Sequence, residues 1–174
     1  MIISTSTTNN NSNTTTYSIY SLATNVTTSN LIKQGYKVIY NQTYATVTNL
    51  SDFTSIVSTC NNMSTICIGG AAVGSNTLLL VSCANCKTLL SSYTDLNIPR
   101  LINNAYWYYT PSKSIGFSPS SSIRQDFCDY YDYNLPLDPL RLCWHLDGYD
   151  GGWRLGSIIF LNSDTNYLKL LFLK

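Results

Sequence analysis

The side chains with the widest chemical range lie near the end of the chain, around its single histidine, His145. Arg154 offers a planar fork of hydrogen-bond donors, and Tyr149 offers a flat stacking surface. Asp147 and Asp150 offer acceptor oxygens. Together these five residues predict a binding site for a sugar, another small polar ligand or a protein partner. The alternative is that the histidine, the arginine and Asp147 only bind one another and fix a turn.

This site prediction depends on a β-hairpin over residues 140–160. Period-two alternation places two apolar sets on one face: Leu142, Trp144 and Leu146, then Trp153, Leu155 and Ile159. With a loop of residues 148–151, Leu146 faces Trp153, and His145 faces Arg154 on the opposite side. A slip of one residue would mix the two faces, so the pattern favours this register.

Two catalytic or metal-dependent alternatives use the same region. A hydrolase would require His145 as its base, but no G-x-S-x-G nucleophile elbow is present. Six of the nine acidic residues fall within residues 126–150, and their oxygens could bind calcium on loops. They are Asp126, Asp129, Asp132, Asp138, Asp147 and Asp150. Their spacing does not match an EF-hand, and Asp is also common in turns, so no cofactor is predicted.

The six cysteines predict disulfides and an oxidising compartment, because their number is even and the chain is small. Cys128 and Cys143 flank a proline-containing loop and form the best long-range pair. The simplest local pairs are Cys60 with Cys67 and Cys83 with Cys86, although six cysteines allow ~15 connectivities. The lone CxxC lacks the further ligands of a zinc site. It also lacks the following helix of a thioredoxin-like dithiol, because Lys87–Leu90 continues as a strand in this interpretation.

Six Asn-x-Ser/Thr sequons agree with secretion: Asn10, Asn13, Asn25, Asn41, Asn49 and Asn62. A segment rich in Ser, Thr and Asn also makes such sequons by chance. The first residues lack the basic start and the apolar core of ~7–15 residues that a signal peptide has. We therefore expect a piece of a longer secreted chain, a misassigned start or a different compartment.

Composition limits the partners. Only 11% of residues are charged and the net charge is +1, which argues against nucleic acid and anionic membranes as main partners. The longest apolar run is far shorter than the ~20 residues of a membrane span. The chain has no Glu and is rich in Thr, Tyr, Ser and Asn, which disfavours a helical bundle.

The strand pattern predicts an all-β fold, an antiparallel sandwich of jelly-roll or lectin-like type. Residues 1–32 are predicted to be a Ser/Thr/Asn-rich linker or stalk, in which Tyr17, Ile19 and Leu22 can still dock as an extra strand. Residues 33–174 form the single β-sandwich domain. We expect a strand pair over residues 36–47, a short helix or ambiguous element over 52–57, and a turn at Gly69–Gly74. In the aromatic strand 105–110, one face packs in the core, and the other needs a second layer or a flat ligand.

Several short motifs occur in the order seen in a family. They are Cys67-Ile-Gly-Gly70, Leu78 to Cys86, Asn104 to Tyr108, Ser114 to Phe117 with Pro119, Arg141 to Asp147, Gly151 to Gly156, Leu161 to Asp164, and Tyr167 with Lys169. This order resembles an uncharacterised secreted or surface module of invertebrate animals over residues 60–173. The resemblance implies a secreted β-rich module of adhesive or lectin-like character, and it assigns no catalytic or binding residue.

The sequence as a whole favours a non-enzymatic extracellular recognition or adhesion module, with glycans or proteins of the cell surface or matrix as its partners. The first alternative is a structural protein of a secreted matrix that associates with its own kind through an edge strand. The second alternative is a hydrolase that uses His145.

Overall fold

The computed structural model describes residues 20–91, 98–123, 128, 138–146, 148 and 151–174. They form two antiparallel sheets, which confirms the expected antiparallel β fold. The five-strand sheet has the order β1 (Val26–Thr27), β4 (Thr77–Asn85), β3 (Thr65–Ala72), β11 (Tyr167–Leu173) and β2 (Lys37–Thr43). The six-strand sheet is a meander of β5 (Arg100–Ile102), β6 (Ala105–Thr110), β7 (Ser114–Ser118), β8 (Leu142–His145), β9 (Gly152–Leu155) and β10 (Ile158–Ile159). Three short helices accompany them: α1 (Thr28–Lys33), α2 (Leu50–Ser58) and α3 (Cys86–Leu90).

The main core lies where inward-facing side chains of the two sheets meet in one cluster. The rings of Trp107 and Phe117 in the six-strand sheet lie 4.9 Å apart, centre to centre. The sheets approach closely at Gly70, where an added Cβ would lie 2.6 Å from Leu155 Cδ1. The predicted turn at Gly69–Gly74 is therefore wrong in its first part. Both leading glycines lie inside β3, and the chain turns at Gly74, whose φ is +81°.

The outer face of the five-strand sheet is covered by the chain segment that precedes β2. Leu31 of α1 is fully buried against this face, together with Tyr36. Ala23 bridges Val81 of β4, and Leu22 packs against the main core. Residues 20–32 of the predicted linker therefore pack on the domain, whereas residues 1–19 lie outside the described residues.

Two described residues that follow β7, Ile123 and Cys128, pack on the outer face of the six-strand sheet. Tyr108 packs there with Ile123 and Cys128, and Tyr106 lies at the margin of this cluster. The Tyr108 ring lies over Gly116, since an added Cβ at Gly116 would meet its Cζ at 2.7 Å. A second layer of protein, and not a flat ligand, therefore covers Tyr108 in the aromatic strand.

Local interactions explain the helices. Thr27 caps α1 by accepting a hydrogen bond from Asn30 N, and Asn85 caps α3 by accepting one from Thr88 N. The strand predicted over 87–90 is wrong, because this cap starts a helix at the end of β4. The ambiguous element at 52–57 is helical. The strand pair predicted over 36–47 is also wrong, because β2 continues to Thr43 without a turn.

Three disulfides join the six cysteines. The Cys128–Cys143 prediction is confirmed, but both local pairs are wrong. Cys67 lies directly opposite Cys83 on the neighbouring strand, with a Cα–Cα distance of 4.0 Å, and the two are bonded. Cys86 instead bonds Cys60, which follows α2. Cys86 belongs to the main core between the sheets, whereas Cys83 lies in the cluster on the outer face of the five-strand sheet.

We predict that the double variant Cys67→Ala/Cys83→Ala unfolds more easily by about 3 kcal/mol, the chain-entropy effect of closing a loop of roughly 15 residues. Denaturant titration of the parent and the variant measures the difference. Peptide mapping without reduction should recover the bonds 60–86, 67–83 and 128–143. A fragment that joins Cys60 to Cys67 would contradict the strand register.

Candidate functional site

The predicted hairpin exists, but its register differs from the expected one. Strand β9 pairs with β8 so that Leu142 opposes Leu155 and Cys143 opposes Arg154. The predicted pairing of His145 with Arg154 is therefore wrong by two residues. A shift of two residues keeps each side chain on its face, so the alternation of apolar and polar residues cannot distinguish the two registers.

A β-bulge accounts for a second difference in the hairpin. The register shifts between Cys143 and Trp144, so that Trp144 opposes Gly152. Because of this irregularity, Trp153 lies in the cluster on the outer face of the six-strand sheet that also contains Tyr108. The prediction placed it on the core face. The Trp153 ring there packs edge-on against Phe160, 4.7 Å away. Alternation assumes a regular ladder, so it cannot anticipate an inserted residue.

Two of the five predicted ligand-binding residues, His145 and Arg154, are described. His145 is half-buried and opposes Ser114, which is fully buried. Arg154 is only 1% exposed, and its guanidinium donates to Gly156 O at 3.2 Å and to Asp138 O at 3.5 Å. Arg154 therefore stabilises the protein interior. Asp147, Tyr149 and Asp150 lie outside the described residues.

The unusual polar centre of the fold is Lys169, which the sequence reading missed. Its side chain is fully buried between the sheets, although it carries an amino group. Lys169 Nζ donates to Thr48 Oγ1 and Gly151 O, both at 2.8 Å, and to Thr46 O. The ring of Tyr40 lies 6.0 Å from the same nitrogen. Burial lowers the pKa of Lys169 to about 7, whereas the three acceptor oxygens favour the charged form.

Tyr44 completes this centre on the side of the six-strand sheet. Its buried hydroxyl donates to Arg154 O at 3.0 Å and accepts from Trp144 Nε1 at 3.1 Å. Burial raises the pKa of Tyr44, so the hydroxyl stays protonated. Gly151 packs against the Tyr44 backbone, where any Cβ would collide. Below, "inter-sheet polar cluster" denotes Tyr44, Thr46, Thr48, Gly151 and Lys169.

One sequence signal could have revealed this cluster. In β11, Lys169 shares the inward face with Tyr167 and Leu171, because every second residue of a strand points the same way. A lysine at an apolar position of a strand that is apolar on both faces is rarely exposed to water. No comparable sequence signal pointed to Tyr44. It lies in the irregular segment of residues 44–49, which runs from the end of β2 to a bridge between Thr48 and Leu146 and is called the crossing segment.

A shallow, open surface region lies beside Cys60, which is disulfide-bonded to Cys86. Two adjoining open hollows of about 350 and 450 Å³ share three lining residues: Asn62, Lys87 and Ser91. The other lining residues are Cys60, Asn61 and Leu90 in one hollow and Asn85, Thr88 and Arg100 in the other. We call this region the polar hollow. Its residues are scattered between positions 60 and 100, so no sequence motif marked it.

The frame of the polar hollow is internally hydrogen-bonded. Asn85 Nδ2 donates to Asn62 O at 2.8 Å, and Asn85 Oδ1 accepts from Thr88 N at 2.9 Å. Arg100 Nη1 donates to Ser91 Oγ at 2.8 Å and to Thr88 O at 3.2 Å. Lys87 is exposed at the rim. The described lining residues thus combine two cations with amides and hydroxyls, and none of them is acidic.

Four of the six sequon asparagines are described, and all four are exposed: Asn25, Asn41, Asn49 and Asn62. Each is therefore placed where an attached glycan would reach solvent. Asn10 and Asn13 lie outside the described residues.

Of the six acidic residues proposed for calcium, Asp138 is the one that the structure describes. Asp138 binds Arg141 Nε at 3.2 Å, and the other five acids of that cluster lie outside the described part of the chain. Among the residues with described positions, no group of three or more His, Cys, Asp or Glu side chains could hold a metal ion. None of the helices within those residues has the length and apolar character needed to cross a membrane.

Comparison of the chain with protein-family models, with curated proteins and with solved structures found no match.

We predict that the free energy of unfolding rises with pH from about 7 to 9.5 and that Lys169→Met removes most of this rise. The pKa of Lys169 is lowered from its usual value of 10.5 to about 7. Between these values the unfolded chain binds a proton that the folded chain lacks, so raising the pH favours folding.

Denaturant titration at several pH values checks this slope. Lys37→Met, at an exposed position of β2, is the matched control and should keep it. An equal slope in the parent and in Lys169→Met would show that Lys169 titrates as an exposed lysine.

Proposed function

We propose that this chain is an extracellular, disulfide-stabilised recognition module whose polar hollow binds a negatively charged, hydroxyl-rich ligand. A sulfated or otherwise anionic glycan is the class that fits best. Lys87 and Arg100 would bind the acidic groups, and the amides of Asn62 and Asn85 would bind ring hydroxyls. The observation that carries the proposal is the union of two cations and several neutral polar groups in one hollow without a described acidic neighbour.

Rigidity of the frame supports recognition. The Cys60–Cys86 disulfide joins the end of α2 to the start of α3 beside the hollow. The hydrogen bond from Asn85 Nδ2 to Asn62 O joins the end of β4 to the segment between α2 and β3, which both line the hollow. A site fixed in this way loses little conformational entropy when a ligand binds, which favours affinity.

The chemistry of the lining favours binding over catalysis. Amides, hydroxyls and cations recognise a ligand, but general acid–base catalysis at neutral pH usually depends on a histidine or a carboxylate. The described lining residues include neither. The hydrolase alternative gains no support at His145, because the serine opposite it is fully buried.

The extracellular setting is supported by chemistry in two places. Three disulfides are typical of small proteins in oxidising compartments. Four exposed sequon asparagines are positioned as glycosylation in the secretory pathway would require. A self-associating matrix protein is the second candidate, and it is favoured by the long outer strand β2.

We predict that the protein retains sulfated heparin fragments more strongly than the same fragments after chemical desulfation. Lys87→Ala and Arg100→Ala should each weaken this binding about tenfold, the equivalent of ~1.4 kcal/mol and within the range of a hydrogen bond to a charged group. Isothermal titration calorimetry at low and at physiological salt measures the affinities, which should fall as salt rises.

Lys113→Ala is the matched control for charge, because Lys113 is exposed in the turn between β6 and β7, which are not part of the hollow. It should leave the affinity unchanged. If all three variants weaken binding equally, heparin is attracted non-specifically to the positive charges of the protein. If Lys87→Ala and Arg100→Ala both keep the parent affinity, the proposed site is overturned.

A further inference from the structure

The four outer strands of the two sheets differ in length. β1 and β10 have two residues each, and β5 has three. β2 has seven residues, from Lys37 to Thr43, and within the described ranges it pairs with β11 alone. A long outer strand presents a row of backbone N–H and C=O groups that can pair with another chain.

The side chains of β2 offer little protection against such pairing. Lys37, at its first residue, is the only charged side chain of the strand. Val38 is 42% exposed, which adds apolar surface along the edge. The pairing with β11 skips Ile39, so a β-bulge at this residue partly protects the start of the strand and leaves residues 40–43 as its regular part. In an antiparallel pair of two β2 strands, Lys37 would face the far end of the other copy, so like charges would not oppose association.

This same strand carries a sequon. Asn41 is exposed, and Gln42 and Thr43 complete the Asn-x-Thr pattern. Asn41 opposes Leu170, which lies in the cluster on the outer face of the five-strand sheet. The Asn41 side chain therefore points away from the core between the sheets. Among the four described sequon asparagines, Asn41 is the one placed on this long outer strand.

We propose that an N-linked glycan on Asn41 shields the outer edge of β2 and prevents strand pairing with a second copy of this chain. The modification transfers an oligosaccharide from a lipid-pyrophosphate donor to Asn41 Nδ2. A bond forms between sugar C1 and Nδ2, the bond from C1 to the pyrophosphate oxygen breaks, the amide loses one proton, and the lipid pyrophosphate leaves. The attached sugars are bulky and hydrated, so they keep a second strand from the interstrand spacing of ~4.8 Å at which backbone hydrogen bonds form.

The experiment compares four secreted forms of the full chain, produced in glycosylating eukaryotic cells behind a supplied signal peptide. They are the parent, Asn41→Gln, Asn41→Lys and Ser51→Ala. Ser51→Ala removes the sequon of Asn49, which is exposed outside any strand, and so controls for the loss of one glycan. Asn41→Lys removes the glycan but places a charge on the edge, which natural proteins use to block strand pairing. Glycopeptide mapping and light scattering over a wide concentration range are the readouts.

We expect a glycan on Asn41 and a monomeric parent. Asn41→Gln should dimerise as the concentration rises, whereas Asn41→Lys and Ser51→Ala should stay monomeric. An unmodified Asn41 in a chain glycosylated elsewhere, a monomeric Asn41→Gln, or a dimeric Asn41→Lys would each overturn the inference. The inference rests on the extracellular setting of the proposed function, but its outcomes do not depend on the ligand of the polar hollow, so a failure of the one can be distinguished from a failure of the other.

Discussion

A buried amino group with three oxygen partners joins the two sheets of this protein. Lys169 comes from β11 of the five-strand sheet, whereas Gly151 leads into β9 of the six-strand sheet. Thr46 and Thr48 belong to the crossing segment that runs between them. Removing an amino group from water is costly unless its donors are bonded. This arrangement therefore requires the two sheets and the crossing segment to form together.

A second constraint, the apolar character of both faces of each sheet, explains why further parts of the chain pack on the outer faces. Each sheet is apolar on both faces, so each needs a cover on its outer side as well as its partner within. The described residues before β2 cover one sheet, and Ile123 and Cys128, which follow β7, pack on the other. Buried Arg141 stabilises this second outer layer by donating hydrogen bonds to Ser120 Oγ, Ser122 O and Asp138. The Cys128–Cys143 disulfide links the same layer to β8. These covers leave the polar hollow and the outer edge of β2 among the open surfaces on which recognition and association can be tested.

Sequence patterns predicted what depends on regular alternation. The antiparallel β class, the hairpin at Trp144 and the Cys128–Cys143 bond follow from period two and from loop length. The errors occurred where regularity ends: a bulge after Cys143 turned Trp153 away from the core face, and the cap at Asn85 began a helix where a strand was expected. The local cysteine pairs failed because bonding follows strand partners and not sequence distance. The polar hollow combines residues from separate elements, so only the folded chain reveals it.

The central claim is that Lys169 is buried and bound between the sheets, and nuclear magnetic resonance of its side-chain nitrogen tests it most directly. In protein labelled with nitrogen-15, the account predicts that Lys169 Nζ titrates near pH 7, well below exposed lysines at about 10.4. Its protons should also exchange slowly with water at low pH, because all three are hydrogen-bonded. A Lys169 signal that titrates with the exposed lysines and exchanges as quickly would contradict the account.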